Sequence, residues 1–351
     1  MARPLRAKRF TSALVPYVLT YARMSGKDPK TLEKKYLHVR TGSPPNGVAP
    51  GGSAGIATPE VSLDELGALL GDAAKLLGDQ LFGLHCAMGM SRGAYGLLEF
   101  GLRSAPTGRI AMEQLARYGA LINPLVRWSL EVDGDEVALH HRAPKKGGVG
   151  RQGNLFTVTR ILQIAREMMG DDVVPVRAWF AHDEKSCPDE VAAFLKTKHI
   201  AFGRSSNGIA FSAETLERVP TGADAELNRA LELHGQAVLA KCGDIDDAYE
   251  RARGAVIDLL PDGGATLAKV AKKLHVTPRT LQRRLEENGA SFAALLNEVR
   301  RSQAERLLGH TDTPLTDVAE QIGYADSAAF VRAFRSWTGV TPGKFREHAN
   351  D

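Results

Sequence analysis

Apolar and polar positions alternate along this chain with two periods, and the place where one of them stops divides it. Up to about residue 220 helical and strand periods are interleaved; beyond it only the helical period persists. Residues 10–40 read as helix, with Leu14, Tyr17, Val18 and Tyr21 on one face. Thr41–Pro59 is rich in Gly, Pro and Ser and predicts a flexible loop. Ser62–Leu77 carries a leucine stripe, opened by a Ser62/Glu65 capping box. Thr107–Leu121 and Leu155–Met169 are further amphipathic helices. Arg127–His141 alternates about Asp133-Gly134-Asp135, the signal of a β-hairpin. Val173–Ala181 and Ile200–Phe211 read as strands flanking a helix over Asp189–Lys198. The pattern predicts an α+β domain over 1–220, a connecting helix within 221–244, and an all-α domain over 245–351.

The all-α part repeats itself. Val270-Ala271, Leu274, Leu281, Arg283, Leu285 and Gly289 recur 48 to 50 residues later as Val318-Ala319, Ile322, Phe330, Arg332, Phe334 and Gly339. Each copy has the punctuation of a helix-turn-helix, over about 266–289 and 314–338. In the first, Leu267–Leu274 is followed by a His275-Val276 turn, a Thr277 cap and Pro278 at the first helical position. In the second, Leu315–Ile322 is followed by Gly323-Tyr324-Ala325 and an Asp326 cap. Gly289 and Gly339 stand where the second helix of each copy ends. Small residues, Ala271 and Ala319, stand where two helices cross. Away from the apolar faces lie Arg279, Gln282 and Arg283 in one copy and Ser327, Ala328 and Arg332 in the other, side chains of the size and polarity that meet phosphates and base edges. An amphipathic rod over 291–309 joins the copies. Its core, Ser291–Leu308, spans roughly 27 Å at 1.5 Å per residue, a length that with its turns suits two adjacent major-groove segments about 34 Å apart.

Charge supports this placement. The 351 residues carry a net charge of only +4, but Thr266–Gly289 holds six Lys/Arg against two acids. Other chemistry is thin. Cys86, Cys187 and Cys242 are far apart and show neither disulfide nor zinc spacing, so reduced thiols are expected. His85, Cys86, Met88 and Met90 read as core packing, and His140-His141 point to opposite faces of a strand, so no metal is expected. Gly148–Gly153 spells GxGxxG but follows a basic loop, and reads as a flexible connection rather than a dinucleotide site. No nucleophile–base set stands out; the chain is read as a non-enzyme without cofactor. The basic start, Arg3 to Arg9, lacks a convincing cleavage site, and no run of 18 apolar residues exists, so a cytoplasmic location and no membrane partner are expected.

Thr277-Pro278-Arg279-Thr280-Leu281-Gln282-Arg283-Arg284-Leu285, with Pro314-Leu315, Ile322-Gly323-Tyr324, Phe330, Phe334, Gly339, Thr341-Pro342 and Phe345-Arg346, resembles the DNA-binding domain of the AraC/XylS family of bacterial transcription regulators. The resemblance implies DNA contacts from Thr277, Arg279, Thr280, Gln282 and Arg283 in the first motif and Ser327, Ala328 and Arg332 in the second. Ala328 departs from the more polar side chain often found there. Tyr95-Gly96-Leu97-Leu98, Ser104-Ala105-Pro106-Thr107, Leu115-Ala116-Arg117-Tyr118, Phe180-Ala181-His182 and Ile200-Ala201-Phe202-Gly203 are similar to the sensor domain of the ornithine-regulator-like, arabinose-binding-type branch. That implies an effector-responsive activator, double-stranded promoter DNA and RNA polymerase as partners, a small-molecule effector and a homodimer. Two alternatives stand beside it: a regulator controlled by dimerisation or a protein partner without ligand, and a small-molecule enzyme with an autoregulatory DNA-binding domain.

Overall fold

A computed structural model describes residues 9–37, 59–144, 147–183, 188–241, 248–261, 264–287, 290–310, 313–338 and 340–350. Most of the basic start, the Gly/Pro-rich loop up to residue 58, Cys187, Cys242, Gly289 and Gly339 lie outside the described residues. The chain forms two units, 1–245 and 246–351.

In the first unit a two-residue ribbon, β1 (Phe10–Thr11), pairs antiparallel with β2 (Glu60–Val61). Between them in sequence are α1 (Leu14–Met24) and α2 (Lys30–Tyr36), so the single helix expected over 10–40 is a strand and two helices. The break falls at Gly26, whose φ of +74° is left-handed, and just before Pro29. Then follow α3 (Leu63–Leu77), α4 (Phe82–Met88), α5 (Gly96–Ser104) and α6 (Gly108–Tyr118). The Ser62/Glu65 capping box is present in full: Ser62 Oγ accepts from Glu65 N–H, and Glu65 accepts from Ser62 N–H at 2.8 Å.

The hairpin comes next, as β3 (Arg127–Asp133) and β4 (Glu136–Arg142) in register about Gly134, followed by α7 (Gly150–Met169). β5 (Arg177–Trp179), α8 (Pro188–Leu195), β6 (Ile200–Ala201), β7 (Asn207–Ser212), α9 (Ala213–Leu216) and α10 (Ala225–Lys241) complete the unit. The expected strand over Ile200–Phe211 is therefore two, β6 parallel to β5 and β7 antiparallel to it, in a five-stranded sheet ordered β3-β4-β7-β5-β6. Val137 to Arg142 of β4 are buried on both faces, which places this strand inside the sheet. Leu155, Val158 and Leu162 of α7 share one core with Val137, Leu139, Ile209 and Phe211 of the sheet.

Two expectations change here. Gly150–Gly153 is the first turn of α7, with Gln152 and Gly153 buried, rather than part of a flexible loop, and Gly148 and Gly150 reach it through left-handed turns with φ of +65° and +80°. The strand before it, β4, is antiparallel to its neighbours, so this segment does not open a βαβ unit that could seat a dinucleotide. The helix within 221–244 is not a free connector. It packs along α5, and Asn228 is buried, donating to Gly101 C=O at 2.8 Å and accepting from Gln114 at 2.9 Å.

Among the described residues the second unit contains helices and no strands: α11 (Ala248–Leu259), α12 (Leu267–Lys273), α13 (Pro278–Glu287), α14 (Phe292–His310), α15 (Leu315–Gln321), α16 (Ser327–Thr338) and α17 (Pro342–Asn350). It has two small cores. Leu281 and Leu285 pack with Val270, Ala271, Leu295 and Val299; Phe330 and Phe334 pack with Val318, Ala319, Ala304 and Leu308. α14 supplies one side of both.

Candidate nucleic-acid interface and interior cavity

Each helix-turn-helix is built by the same local hydrogen bonds. In the first, His275 N–H donates to Lys272 C=O and Val276 N–H to Ala271 C=O, at 3.1 and 3.0 Å. In the second, Gly323 N–H donates to Glu320 C=O and Tyr324 N–H to Ala319 C=O, both at 2.9 Å. The turn residue is left-handed in each, with φ of +55° at His275 and +74° at Gly323. Glycine adopts this conformation freely, whereas a residue with a Cβ pays for it in strain. Each second helix is then capped: Thr277 Oγ1 accepts from Thr280 N–H at 3.1 Å, and Asp326 Oδ1 accepts from Ala329 N–H at 2.6 Å. Ala271 and Ala319 are fully buried at the helix crossings.

Burying Leu281 and Leu285 turns Arg279, Gln282 and Arg283 outward together on α13. Gln282 donates to Glu286 at 3.1 Å along the same helix. Thr280 is half-buried, and the Thr277 hydroxyl is engaged at the cap while its residue stays exposed. Burying Phe330 and Phe334 likewise exposes Ala328 and Arg332 on α16, with Ser327 half-buried. Arg335, three residues on, is exposed on the same side of α16; the sequence pattern did not single it out because it has no counterpart in the first copy's basic face.

One tie between the two motifs was not legible at all. Arg300, midway along α14, donates from Nε to Ile322 C=O at 3.1 Å and from Nη2 to Gly323 C=O at 2.8 Å. Its guanidinium lies 4.5 Å from the centroid of the Tyr324 ring. A Cβ on Gly323 would stand 3.2 Å from the Leu260 carbonyl oxygen, at the end of the first core. The second motif's turn is thus held against both the bridging helix and the first core. At 19 residues α14 is about 28 Å long.

The first unit holds a cavity of about 650 Å³, partly open to solvent, between α5, α6 and α7, with α10 and β1 contributing to its wall. Leu98, Met112, Leu115, Phe156, Ile161 and Ile164 are among its apolar lining. Two charged wall residues, Glu99 and Arg160, are almost completely buried. Arg160 Nη2 donates to Glu99 Oε1 at 3.0 Å, and Arg103 donates to the same oxygen at 2.6 Å. Arg103 also pairs with Glu167 at 2.5 Å. Burial pushes the Glu99 carboxyl upward, but hydrogen bonds from Arg103 and the charge of Arg160 outweigh it and hold the group below its usual range.

The remaining candidate chemistry is structural. Cys86 is buried, and burial pushes its thiol pKa up, away from reactivity. Beside it in α4, His85 is instead exposed and faces Asp79 at 2.8 Å, and Met88 is exposed, so only Cys86 and Met90 of that set are core. Gly89-Met90-Ser91-Arg92-Gly93 spells GxSxG, but it follows helix α4 rather than a strand and so lacks the strand–turn–helix of a nucleophile elbow. Among the described residues no group of three or more His, Cys, Asp or Glu is arranged to hold a metal ion.

Residues 53–219 match the family described as the N-terminal arabinose-binding domain of AraC transcription regulators, and residues 270–348 match a helix-turn-helix domain. The chain is 26% identical over 281 residues to an ornithine utilization regulator of Pseudomonas aeruginosa, spanning 78% of this chain and 81% of that protein. It is 28% identical over 295 residues to a helix-turn-helix type transcriptional regulator of Mycobacterium tuberculosis, spanning 81% and 83% of the two chains. Among solved structures it is similar to the transcriptional regulator CdpR from Pseudomonas aeruginosa, with a TM-score of 0.40 and 22% identity over 76% of this chain and 86% of that one.

Proposed function

Since the chain belongs to the AraC family of DNA-binding transcription regulators, we propose that α13 and α16 enter successive major-groove segments of promoter DNA. The observation that carries this reading is the paired geometry: two helices with matching turns and caps, each with an outward arginine, mounted on the two halves of one α14. Arg279, Gln282 and Arg283 read or grip DNA from the first motif, with Thr277 and Thr280 beside the phosphates; Arg332, flanked by Ser327 and Ala328, serves the second. Phosphate contacts supply much of the affinity and make it fall steeply with salt. Full-length protein titrated against a duplex selected from random sequence tests this. The expected result is salt-sensitive, sequence-specific binding that Arg283→Ala weakens and relaxes at one base position. Specific binding that is indifferent to this substitution would remove Arg283 from the interface.

The cavity favours a small-molecule effector over control by a protein partner alone. The effector acts by binding one arrangement of the protein better than another. In this reading the protein is a cytoplasmic, homodimeric activator that works with RNA polymerase, and it is not an enzyme. Among the described residues no helix is long and apolar enough to cross a membrane.

A further inference from the structure

The chemistry of the cavity wall narrows the effector. Its lining is mostly aliphatic and aromatic, and the charged residues set into it are largely spoken for. The buried Glu99 and Arg160 pair with each other, and the half-buried Arg103 and Glu167 behind them complete a set of two cations and two anions. Arg9 pairs with Glu65 at 2.8 Å and Glu232 with Arg117 at 2.7 Å. A charged ligand entering such a wall loses its hydration and, at these pairs, finds no counter-ion without breaking one already made. His141, also in the wall, is fully buried, and burial lowers its pKa to about 4, so it is neutral near pH 7. Glu60 and the exposed His234 are the wall residues with a capacity for charge that stand outside these pairs. Two donors on wall residues are open: the Nε–H of Arg160, a residue 97% buried, and the indole N–H of Trp128 have no hydrogen-bond partner among the described residues.

We propose that this cavity takes an uncharged, largely apolar small molecule carrying a hydrogen-bond acceptor, and not a sugar or a charged amino acid. The apolar body replaces the empty volume between α5, α6 and α7, and a carbonyl, ether or hydroxyl oxygen supplies the partner that the Arg160 Nε–H or the Trp128 indole N–H lacks. A polyol such as a pentose would have to give up the hydration of several hydroxyl groups against a wall in which apolar surface predominates. An amino acid would bring a carboxylate that has to compete with Glu99 for Arg160. The assignment rests on the cavity being the effector site, and the experiment separates the two.

The test displaces the neutral fluorophore N-phenyl-1-naphthylamine from the full-length protein with ligands of one carbon skeleton. These are 1-decanol, decanoate and decylammonium, kept below their solubility limits, together with L-arabinose and L-ornithine. The expected result is displacement by decanol at a concentration at least about tenfold below either charged analogue, and none by arabinose or ornithine at millimolar concentration. Decanoate or decylammonium matching decanol would overturn the uncharged class, the first pointing to His234 and the second to Glu60, while leaving the cavity as a ligand site. Failure of the fluorophore and every ligand to bind would overturn both. Ala165→Phe, which fills the cavity from α7, is expected to abolish decanol binding and keep salt-sensitive DNA binding; Ile164→Trp is the second variant if the first unfolds. Undiminished decanol binding in a folded filled variant would place the ligand elsewhere. Decanol binding that leaves DNA affinity and promoter output unchanged would uphold the ligand class and remove the effector role.

Discussion

The two helix-turn-helix motifs share a backbone and differ in what they present. Both have a left-handed turn residue, a side-chain cap and a buried alanine at the crossing. The first presents Arg279, Gln282 and Arg283, while the second presents Ala328, Arg332 and Arg335. The second, however, has the better-built turn: glycine at the left-handed position, where the first has His275, and Arg300 clamped on its carbonyls. Under the proposed interface, equipment for reading and equipment for rigid placement are thus concentrated in different copies. In that proposal the first copy is a strong reader, joined by a rod to a firmly mounted clamp.

The largest effect is expected in the reading residues. Arg283→Ala should cost about 1–3 kcal/mol of specific binding and lower the salt slope by about one. Arg332→Ala, measured by anisotropy on the same duplex, should cost less than about 1 kcal/mol and leave sequence preference nearly unchanged. Equal losses would abolish the distinction. Next come the turns. Gly323→Ala puts a Cβ at left-handed φ and 3.2 Å from the Leu260 carbonyl oxygen, and should destabilise the second unit by roughly 1–2 kcal/mol in thermal or denaturant unfolding. His275→Gly relieves the same conformation and should be neutral or stabilising by up to about 1 kcal/mol. A destabilised His275→Gly would show that the imidazole makes a contact that outweighs the strain.

A subtler effect is expected at Arg300. Arg300→Gln removes the charge and the fork that holds Ile322 C=O and Gly323 C=O. Binding to a two-segment site should weaken by about 1 kcal/mol, and the penalty for moving the two segments apart by one base pair should shrink. Binding to a single segment should not change. A uniform loss on every duplex would assign Arg300 to stability alone. The smallest change is a gain: Ala328→Asn gives the second helix an amide able to pair with adenine, expected to add about 1 kcal/mol at one base position. No new base preference would mean that α16 does not reach base edges.

How far the sequence carried this picture depends on the range of the interactions involved. The repeat, the caps at Thr277 and Asp326, the Ser62/Glu65 box and the Gly134 hairpin are encoded within a few residues, and each appears where the pattern put it. The Arg300 clamp joins residues 22 and 23 positions apart and looks in sequence like any arginine on an amphipathic helix. The left-handed His275 was hidden because glycine, its usual marker, is absent from that copy. The cavity is assembled from helices spread from α5 to α10, and its buried Glu99–Arg160 pair spans 61 residues. The packing of α10 was missed for the same reason, since Asn228 meets Gln114 across 114 residues. Local chemistry was legible; long-range closure was not.

The central claim of unequal readers is tested most directly by selecting duplexes from random DNA with the full-length protein and then measuring affinity for every single-base substitution of the selected site. The account predicts penalties of about 1–3 kcal/mol per base clustered in one major-groove segment, and a second segment about one helical turn away where substitutions cost little but removal of the duplex weakens binding. Equal penalties in both segments, or a site confined to one, would contradict it.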